Sequence, residues 1–292
     1  PFGRDRHLCI IYFYNFIGMT SISIPETVTS IGQNSFTGCK NITQATMPTM
    51  AVPYIFKAIG SEINLEKFVI NGGDIIDKTS FADVWASKIK LGNVEISNID
   101  SIEDSFFDWK GITSLKVNNV TTIGESAFIN CKGLVDLEIN NVETIERYAF
   151  QHCENLTNLN LSGIGVIELS AFSFCSSLTS VKLPYGITTI SNSAFSKCDS
   201  LESIEIPSSV TSIGYRAFEE CLKLTSIVIP SSVTSIDKYA FWYCTRLKIY
   251  CEAESRPSGW DEDWNVYYIN NSTDEVSRRP VQWNYKAFNE SL

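Results

Sequence analysis

Residues 123–131 read Ile-Gly-Glu-Ser-Ala-Phe-Ile-Asn-Cys, and residues 213–221 read Ile-Gly-Tyr-Arg-Ala-Phe-Glu-Glu-Cys. Their shared Ala-Phe-x-x-Cys ending recurs along the chain, with successive phenylalanines 22 or 23 residues apart. The regularly spaced copies are Phe128/Cys131, Phe150/Cys153, Phe172/Cys175, Phe195/Cys198, Phe218/Cys221 and Phe241/Cys244, and a further Phe/Cys pair, Phe36/Cys39, lies near the N-terminus. Such a period is typical of a repeat protein, in which each unit buries its apolar face against the next.

Each repeat also contains a fixed set of aliphatic residues. In one copy this frame is Leu134-x-x-Leu137-x-Ile139, followed by Val142 and Ile145. The opening position of the frame can be followed through Met19, Ile42, Leu65, Leu91, Ile112, Leu134, Leu156, Leu178, Leu201, Leu224 and Leu247, at intervals of 21 to 26 residues. The sequence therefore predicts a solenoid of about ten units over residues 19–246.

The spacing within a unit indicates its local structure. Leu137 and Ile139 lie two residues apart, so both face the same side of a short strand, and stacked units place these strands in one parallel ladder. The Ala-Phe-x-x-Cys segment has helical spacing, which predicts a short helical turn with Phe and Cys pointing inward. The expected architecture is an α/β repeat with strands on one face and helical turns on the other.

The units between residues 42 and 111 are irregular. The unit that begins at Ile42 lacks Phe-x-x-Cys, the unit at Leu65 is 26 residues long, and the unit at Leu91 is 21 residues long. We expect a bulge or altered curvature here, which is either simple decay of the repeat or a functional insertion.

A frame of Leu-x-x-Leu-x-Ile in units of 22 to 23 residues is leucine-rich-repeat spacing. Together with the Ile-Gly-x-x-Ala-Phe-x-x-Cys element at 123–131 and 213–221, it closely resembles the BspA-type leucine-rich repeats of bacterial surface and secreted proteins. The resemblance covers about residues 19–264. It implies a leucine-rich-repeat solenoid, an extracellular or cell-surface location, and a role in adhesion or in contacts with a host or other bacteria.

Seven of the nine cysteines occupy the same repeat position, and Cys251 falls on an inward strand position. We interpret Cys131, Cys153, Cys175, Cys198, Cys221 and Cys244 as a ladder of buried free thiols. Stacked neighbours project in parallel, which suits disulfide geometry poorly. A zinc site would need paired Cys-x-x-Cys spacing, which the sequence lacks, so no metal is expected.

Both ends of a solenoid must be covered. After Leu247 the repeat register ends and Trp260, Trp264 and Trp283 follow, so residues 247–292 are predicted to form a C-terminal cap or tail. Residues 1–18 are interpreted as a degenerate N-terminal cap. The alternative is a signal-peptide remnant, because Arg4-Asp5-Arg6 precedes a short apolar stretch.

Composition excludes some classes of function. The chain has 292 residues, with 33 acidic and 23 basic side chains and a formal net charge of −10, and no run of basic residues suggests nucleic-acid binding. No apolar run approaches the roughly 18–20 residues of a membrane span, so no membrane insertion is expected. Catalytic and cofactor-binding motifs are not found, so we predict neither an enzyme nor a cofactor.

The strand face is the candidate binding surface. Between the two inward positions of each strand, one side chain points outward, and the predicted binding residues in this column are Glu95, Lys116, Glu138, Asn160, Lys182, Glu205 and Tyr250. Neighbours lie about 5 Å apart, so alternating charges attract. This alternation either serves a ligand or only keeps the sheet soluble and correctly stacked. A flanking column of small polar residues suits hydrogen bonding to a protein backbone or a glycan; it comprises Ser114, Asp136, Asn158, Ser180, Ser203 and Ser226.

The sequence thus favours a non-catalytic, cell-surface or secreted module that binds a protein or glycan through its strand face. The alternative is a structural spacer within a larger surface protein whose ligand site lies elsewhere. A catalytic role in the irregular region 42–111 is a further alternative.

Overall fold

A ladder of parallel strands runs along one face of the chain in the computed structural model. The structure describes residues 15–28, 31–32, 35–52, 55, 64–76, 90–104, 111–270 and 275–286. The strands are β1 (Ser21–Ser23), β2 (Gln44–Met47), β3 (Asn64–Asn71), β4 (Ile75–Ile76), β5 (Lys90–Ile102), β6 (Ser114–Ile123), β7 (Asp136–Ile145), β8 (Asn158–Ile167), β9 (Ser180–Lys182), β10 (Thr189–Ile190), β11 (Ser203–Glu205), β12 (Ser212–Ile213), β13 (Ser226–Ile229), β14 (Ser235–Ile236), β15 (Lys248–Cys251), β16 (Gly259–Trp260), β17 (Val266–Asn270), β18 (Glu275–Arg278) and β19 (Val281–Gln282). A short 3₁₀ segment spans Thr49–Ala51.

Two sides of each repeat carry strands. Strands β1, β2, β3, β5, β6, β7 and β8 form one sheet, and the ladder continues along the same face through β9 with β11 and through β13, β15 and β19. A second sheet, in the order β10-β12-β14-β16, lies on the returning side. Except for the antiparallel pair β17–β18, the described strand pairs are parallel. The predicted leucine-rich-repeat solenoid with a parallel strand ladder is therefore confirmed.

The ladder passes through the irregular units without a shift of register in the described strands. Gln44 pairs with Lys67, Lys67 with Asn93, and Asn93 with Ser114. Residues 53–54, 56–63, 77–89 and 105–110 of this region lie outside the described residues, as do residues 1–14 of the predicted N-terminal cap.

The corner between the two sides changes along the solenoid. In β5, β6 and β7 it is formed by Asn98, Asn119 and Asn141, which adopt the left-handed conformation with φ of 56°, 53° and 54°. Asparagine tolerates this conformation because its short side chain can hydrogen-bond locally. Here each amide bonds to the next repeat: Asn119 Nδ2 donates to Asn98 Oδ1 at 2.9 Å, and Asn141 Nδ2 donates to Asn119 Oδ1 at 3.0 Å. In β9, β11 and β13 the front strand ends sooner, and Pro184, Pro207 and Pro230 follow it.

The prediction of helical turns was wrong. Among residues 124–131, alternate N–H groups bond within the turn: Ala127 N–H donates to Gly124 O and Cys131 N–H to Phe128 O. The residues between them bond to the next repeat, so that Phe128 N–H donates to Ala149 O at 2.8 Å. Left-handed residues, such as Ser126 at φ 58° and Asn130 at φ 60°, separate these β-turns and prevent helix formation. The turn side is therefore a stack of β-turns joined by inter-repeat hydrogen bonds.

Phenylalanine rings form a continuous stack inside this turn side. Centroids of successive rings lie 5.2, 5.4, 5.7, 6.0 and 5.5 Å apart, with the ring planes within 7° of parallel. The stack comprises Phe128, Phe150, Phe172, Phe195, Phe218 and Phe241, each at most 1% exposed. One ring per repeat fills the interior because each turn presents its Phe at the same depth.

The cysteine column lies beside the phenylalanine stack. From Cys153 to Cys244, each thiol donates to the carbonyl oxygen of the preceding repeat's phenylalanine, for example Cys175 Sγ to Phe150 O at 3.5 Å and Cys244 Sγ to Phe218 O at 2.9 Å. The free cysteines Cys131, Cys153, Cys175, Cys198, Cys221, Cys244 and Cys251 are buried, and so is Cys39. Burial raises the pKa of Cys175 and Cys198 well above the usual value of 9.0.

Tryptophans lie against the last turn of the solenoid. Trp264 meets the Phe241 ring edge-on, with the centroids 6.0 Å apart and the planes at 78°. Trp260 packs against Trp264 at 4.7 Å and against Trp283 at 5.7 Å. Strand β19 continues the front ladder, since Ile249 pairs with Val281.

Replacing Phe195 by alanine is expected to lower the free energy of unfolding by about 3–5 kcal/mol, because the change leaves a cavity between two stacked rings. Urea denaturation of the purified chain measures this. Phe174, in the neighbouring turn but only partly buried, is the matched control, and its replacement by alanine should cost much less. Equal costs for the two variants would show that the stack does not stabilise the solenoid.

Stability is expected to fall at alkaline pH. The thiols stay protonated in the folded chain because burial raises their pKa, whereas in the unfolded chain they ionise near 9.0. Their contribution is therefore fully present below that value and is lost progressively above it. Urea denaturation between about pH 8 and about pH 10 should show this decrease. A Cys175→Ala/Cys198→Ala variant should show a smaller decrease, and an unchanged slope would contradict the explanation.

Candidate binding surface

The predicted outward column exists as a row of neighbouring side chains on the strand face. Strand register places Glu95 beside Lys116, Lys116 beside Glu138, and Glu138 beside Asn160. Further along, Lys182 pairs with Glu205, and Val228 pairs with Tyr250. The structure thus places the seven predicted residues on the strand face, in chain order from β5 to β15: Glu95, Lys116, Glu138, Asn160, Lys182, Glu205 and Tyr250.

Ion pairs link neighbours in this column. Lys116 Nζ lies 2.9 Å from Glu138 Oε1, and Lys182 Nζ lies 3.4 Å from Glu205 Oε2. The hydrogen bond and charge of Glu138 raise the pKa of Lys116, and Glu95 adds to this effect. The hydrogen bonds from Lys116 and from Asn140 lower the pKa of Glu138. Both groups are therefore held in their charged forms at neutral pH.

Two further columns flank the central one. On one side lie the small polar residues expected from the sequence: Ser114, Asp136, Asn158, Ser180, Ser203 and Ser226, which pair across the ladder. On the other side, two residues beyond the central column, lie Asn118 and Asn140. The sequence pattern had not indicated them. Asn140 Nδ2 donates both to Asn118 Oδ1 at 2.9 Å and to Glu138 Oε1 at 2.8 Å. After β9, β11 and β13, prolines occupy the same position: Pro184, Pro207 and Pro230.

Two open depressions lie on the strand face. The first has a volume of about 420 Å³ and extends over strands β6 to β9, between Ser114 and Ser180. The second has a volume of about 610 Å³ and extends from Ser180 to Glu252. Because Ser180 lines both, they form one groove, which we call the strand-face groove. Six front strands at about 4.8 Å spacing make the groove about 24 Å long.

Tyr185 is a residue of the groove that the sequence analysis missed. It lines the second depression and is 76% exposed. The signal lay in the comparison of repeats: the corner reads Pro184-Tyr185-Gly186 here but Pro-Ser-Ser in the two following repeats, at 207–209 and 230–232.

A separate acidic depression lies at the end of the irregular region. It has a volume of about 510 Å³ and is lined in part by Glu103, Asp104 and Glu146. Burial is the main cause that raises the pKa of Glu146, and the charge of Asp104 raises it further. Asp104 Oδ1 and Glu146 Oε2 both accept the backbone N–H of Glu125, at 2.8 and 3.0 Å. These carboxylates therefore hold the turn at residues 124–127 in place.

In the described part of the chain, no three His, Cys, Asp or Glu side chains are grouped so that they could hold a metal ion. The same part contains no helix with the length and apolar character needed to cross a bilayer.

Comparison with known proteins identifies relatives of this architecture. A family profile described as "BspA type Leucine rich repeat region" matches residues 10–135 and 121–248 in six copies. No curated protein matches the chain. A crystal structure of a leucine rich cell surface protein from Faecalibacterium prausnitzii A2-165 is 32% identical, with a TM-score of 0.51, over 64% of this chain and 54% of that one.

A second similar structure is a leucine rich repeat protein of T. pallidum. It is 27% identical, with a TM-score of 0.43, over 54% of this chain and 68% of that one. This chain spans only about half the length of the F. prausnitzii protein described above.

Proposed function

Because the chain belongs to the BspA-type leucine-rich repeat family, we propose that it is a non-catalytic binding module, exposed on a cell surface or secreted, that contributes to adhesion. Its ligand is a protein or a glycan, and the strand-face groove is its binding site. The similarity to a leucine rich cell surface protein supports the location.

The observation that carries this proposal is the continuity of the strand-face groove. Outward side chains from six successive front strands line it (β6, β7, β8, β9, β11 and β13), and the parallel register keeps them in straight columns. An extended ligand can therefore contact several repeats at once.

The chemistry of the groove suits recognition of polar groups. Serine and asparagine side chains supply hydrogen-bond donors and acceptors, while the lysines and glutamates of the central column lie in alternation. Their ion pairs leave charged heads partly exposed, with 75% of the Lys182 side chain and 63% of the Glu205 side chain accessible. Among the described residues, the first depression is lined by aliphatic, polar and charged side chains, without the Trp, Tyr or Arg that dominate strong binding sites. Affinity per site should therefore be modest and should gain from multivalent display.

Reversal of two charges in the groove tests the proposal. The Lys116→Glu/Lys182→Glu variant is expected to lose binding, because it replaces both lysines of the central column and breaks their pairs with Glu138 and Glu205. Binding of the purified chain to matrix proteins, mucin, glycans and whole bacterial cells is measured at two salt concentrations, and thermal unfolding checks that the variant is folded.

The chain provides a matched control away from the groove. Lys132 and Lys197 also form one ion pair each, with Glu154 at 2.8 Å and Glu220 at 3.3 Å. The Lys132→Glu/Lys197→Glu variant has the same net charge as the test variant but should bind like the native chain. Equal loss in both variants would indicate a general charge effect, and no saturable binding by the native chain would favour the structural-spacer alternative.

A further inference from the structure

The second depression of the strand-face groove has an aromatic wall. Tyr185 is its aromatic residue among the described lining residues, and this residue is 76% exposed. At the equivalent corners the following repeats have Ser208 and Ser231, so no bulky side chain of those repeats covers the ring.

The corner that carries Tyr185 is held in a fixed position beside open space. Gly186 adopts a φ of +105°, which side chains rarely adopt, and its N–H donates to Ser209 Oγ at 3.3 Å. A Cβ atom built on Gly186 would meet no residue other than its chain neighbours within 4 Å. The backbone next to the ring is thus anchored to the following repeat while the space beside it remains free.

Polar groups surround the space in front of the ring. Ser203, Ser208 and Ser226 offer hydroxyl groups, and Glu205 and Lys182 offer exposed charged heads. Glu252 is fixed at the far side, because its Oε2 accepts the backbone N–H of Ser231 at 2.9 Å. An exposed aromatic residue that lines one depression with hydroxyls and carboxylates fits a sugar, whose C–H face packs on an aromatic ring and whose hydroxyls donate to carboxylates.

The charges indicate which sugars fit. The described lining residues include one cation, Lys182, and two carboxylates, Glu205 and Glu252. Lys182 is already paired with Glu205. An acidic sugar would therefore meet a net negative site, whereas a neutral sugar would not be repelled.

We propose that the second depression is a subsite for a neutral hexose or N-acetylhexosamine unit, which stacks on Tyr185 and hydrogen-bonds to Glu205 and the neighbouring serines. This rests on the proposed function of the groove and names the ligand class for one end of it. The volume of about 610 Å³ lies within the range of about 300–1,000 Å³ found for small-molecule sites.

The test measures binding of the full chain to maltotriose and to the trimer of N-acetylglucosamine, with sialyllactose as the charged comparison, by calorimetry and saturation-transfer NMR. At least one neutral trisaccharide should bind, with saturation transferred to its ring C–H protons. Tyr185→Ser should weaken this binding about tenfold, equivalent to about 1.4 kcal/mol, and it introduces the residue that the next two repeats already have at this corner. Tyr185→Phe keeps the ring and should bind like the native chain.

Tyr215, which is 38% exposed and belongs to the turn side of the solenoid, is the matched control. Tyr215→Ser should leave binding unchanged. The proposal is overturned if neither neutral trisaccharide binds, if Tyr185→Ser binds as well as the native chain, if Tyr185→Phe loses as much as Tyr185→Ser, or if sialyllactose binds more tightly than the neutral sugars.

The sugar subsite and the proposed function of the groove can be disproved independently of each other. If the native chain binds the macromolecular panel and the lysine reversal abolishes that binding, the groove is a binding site whatever the trisaccharides do. Glycans can be removed enzymatically from a panel ligand. If that ligand still competes for the site at Tyr185, the site binds protein, and the proposed sugar subsite is overturned. Trisaccharide binding that depends on Tyr185, without binding to the panel, would support the subsite and argue against adhesion.

Discussion

Backbone hydrogen bonds between the turns of successive repeats are the constraint on which the rest of the structure depends. Alternate N–H groups, such as those of Ser126, Phe128 and Asn130, donate to carbonyls of the next repeat. The turn side is therefore tied together repeat by repeat, as the strand side is by its ladder. Because both sides advance by a similar step, the phenylalanine rings can stack, the cysteines fall into a column, and the outward side chains form the straight rows of the groove.

The sequence predicted the strand side well because its signal is local and repeated. Leu137 and Ile139 must face inward together, so the side chain between them, Glu138, must face out, and ten intervals of similar length repeat this inference. The turn side was predicted wrongly because the spacing of Phe and Cys is the same in a helical turn and in consecutive β-turns. Residues in the left-handed conformation distinguish consecutive β-turns from a helical turn. They include Tyr148 and Lys197, however, and tyrosine or lysine in a sequence does not indicate that conformation.

The candidate site was predictable in outline but not in detail. The spacing of the repeats determines which residues pair across the strand ladder. This register alone was enough to identify the residues of the central column. The volumes of the depressions, the amide of Asn140 beside Glu138 and the exposure of Tyr185 depend on side-chain packing between repeats, which spacing does not describe. Tyr185 could have been found only as a departure from Pro-Ser-Ser at the same corner of neighbouring repeats.

The two kinds of corner divide the groove into two chemically different parts. In β6 and β7 the amides of Asn118 and Asn140 border the central column; after β9, β11 and β13, Pro184, Pro207 and Pro230 take their place. The proline corners also end the front strand after three or four residues in β9, β11 and β13. One scaffold thus presents an amide-bordered segment and a proline-bordered segment side by side, while the inward positions remain aliphatic.

The edge-on contact between Trp264 and Phe241 has a consequence for self-association. A stack of parallel rings has the same flat face at every step, so an uncovered last ring would present a template to the first repeat of another molecule, and head-to-tail fibres could grow. Trp264 lies at 78° to Phe241 and replaces that flat face with the edge of an indole. At this end of the column the geometry no longer repeats, and the ring stack offers no flat ring on which another copy would continue it.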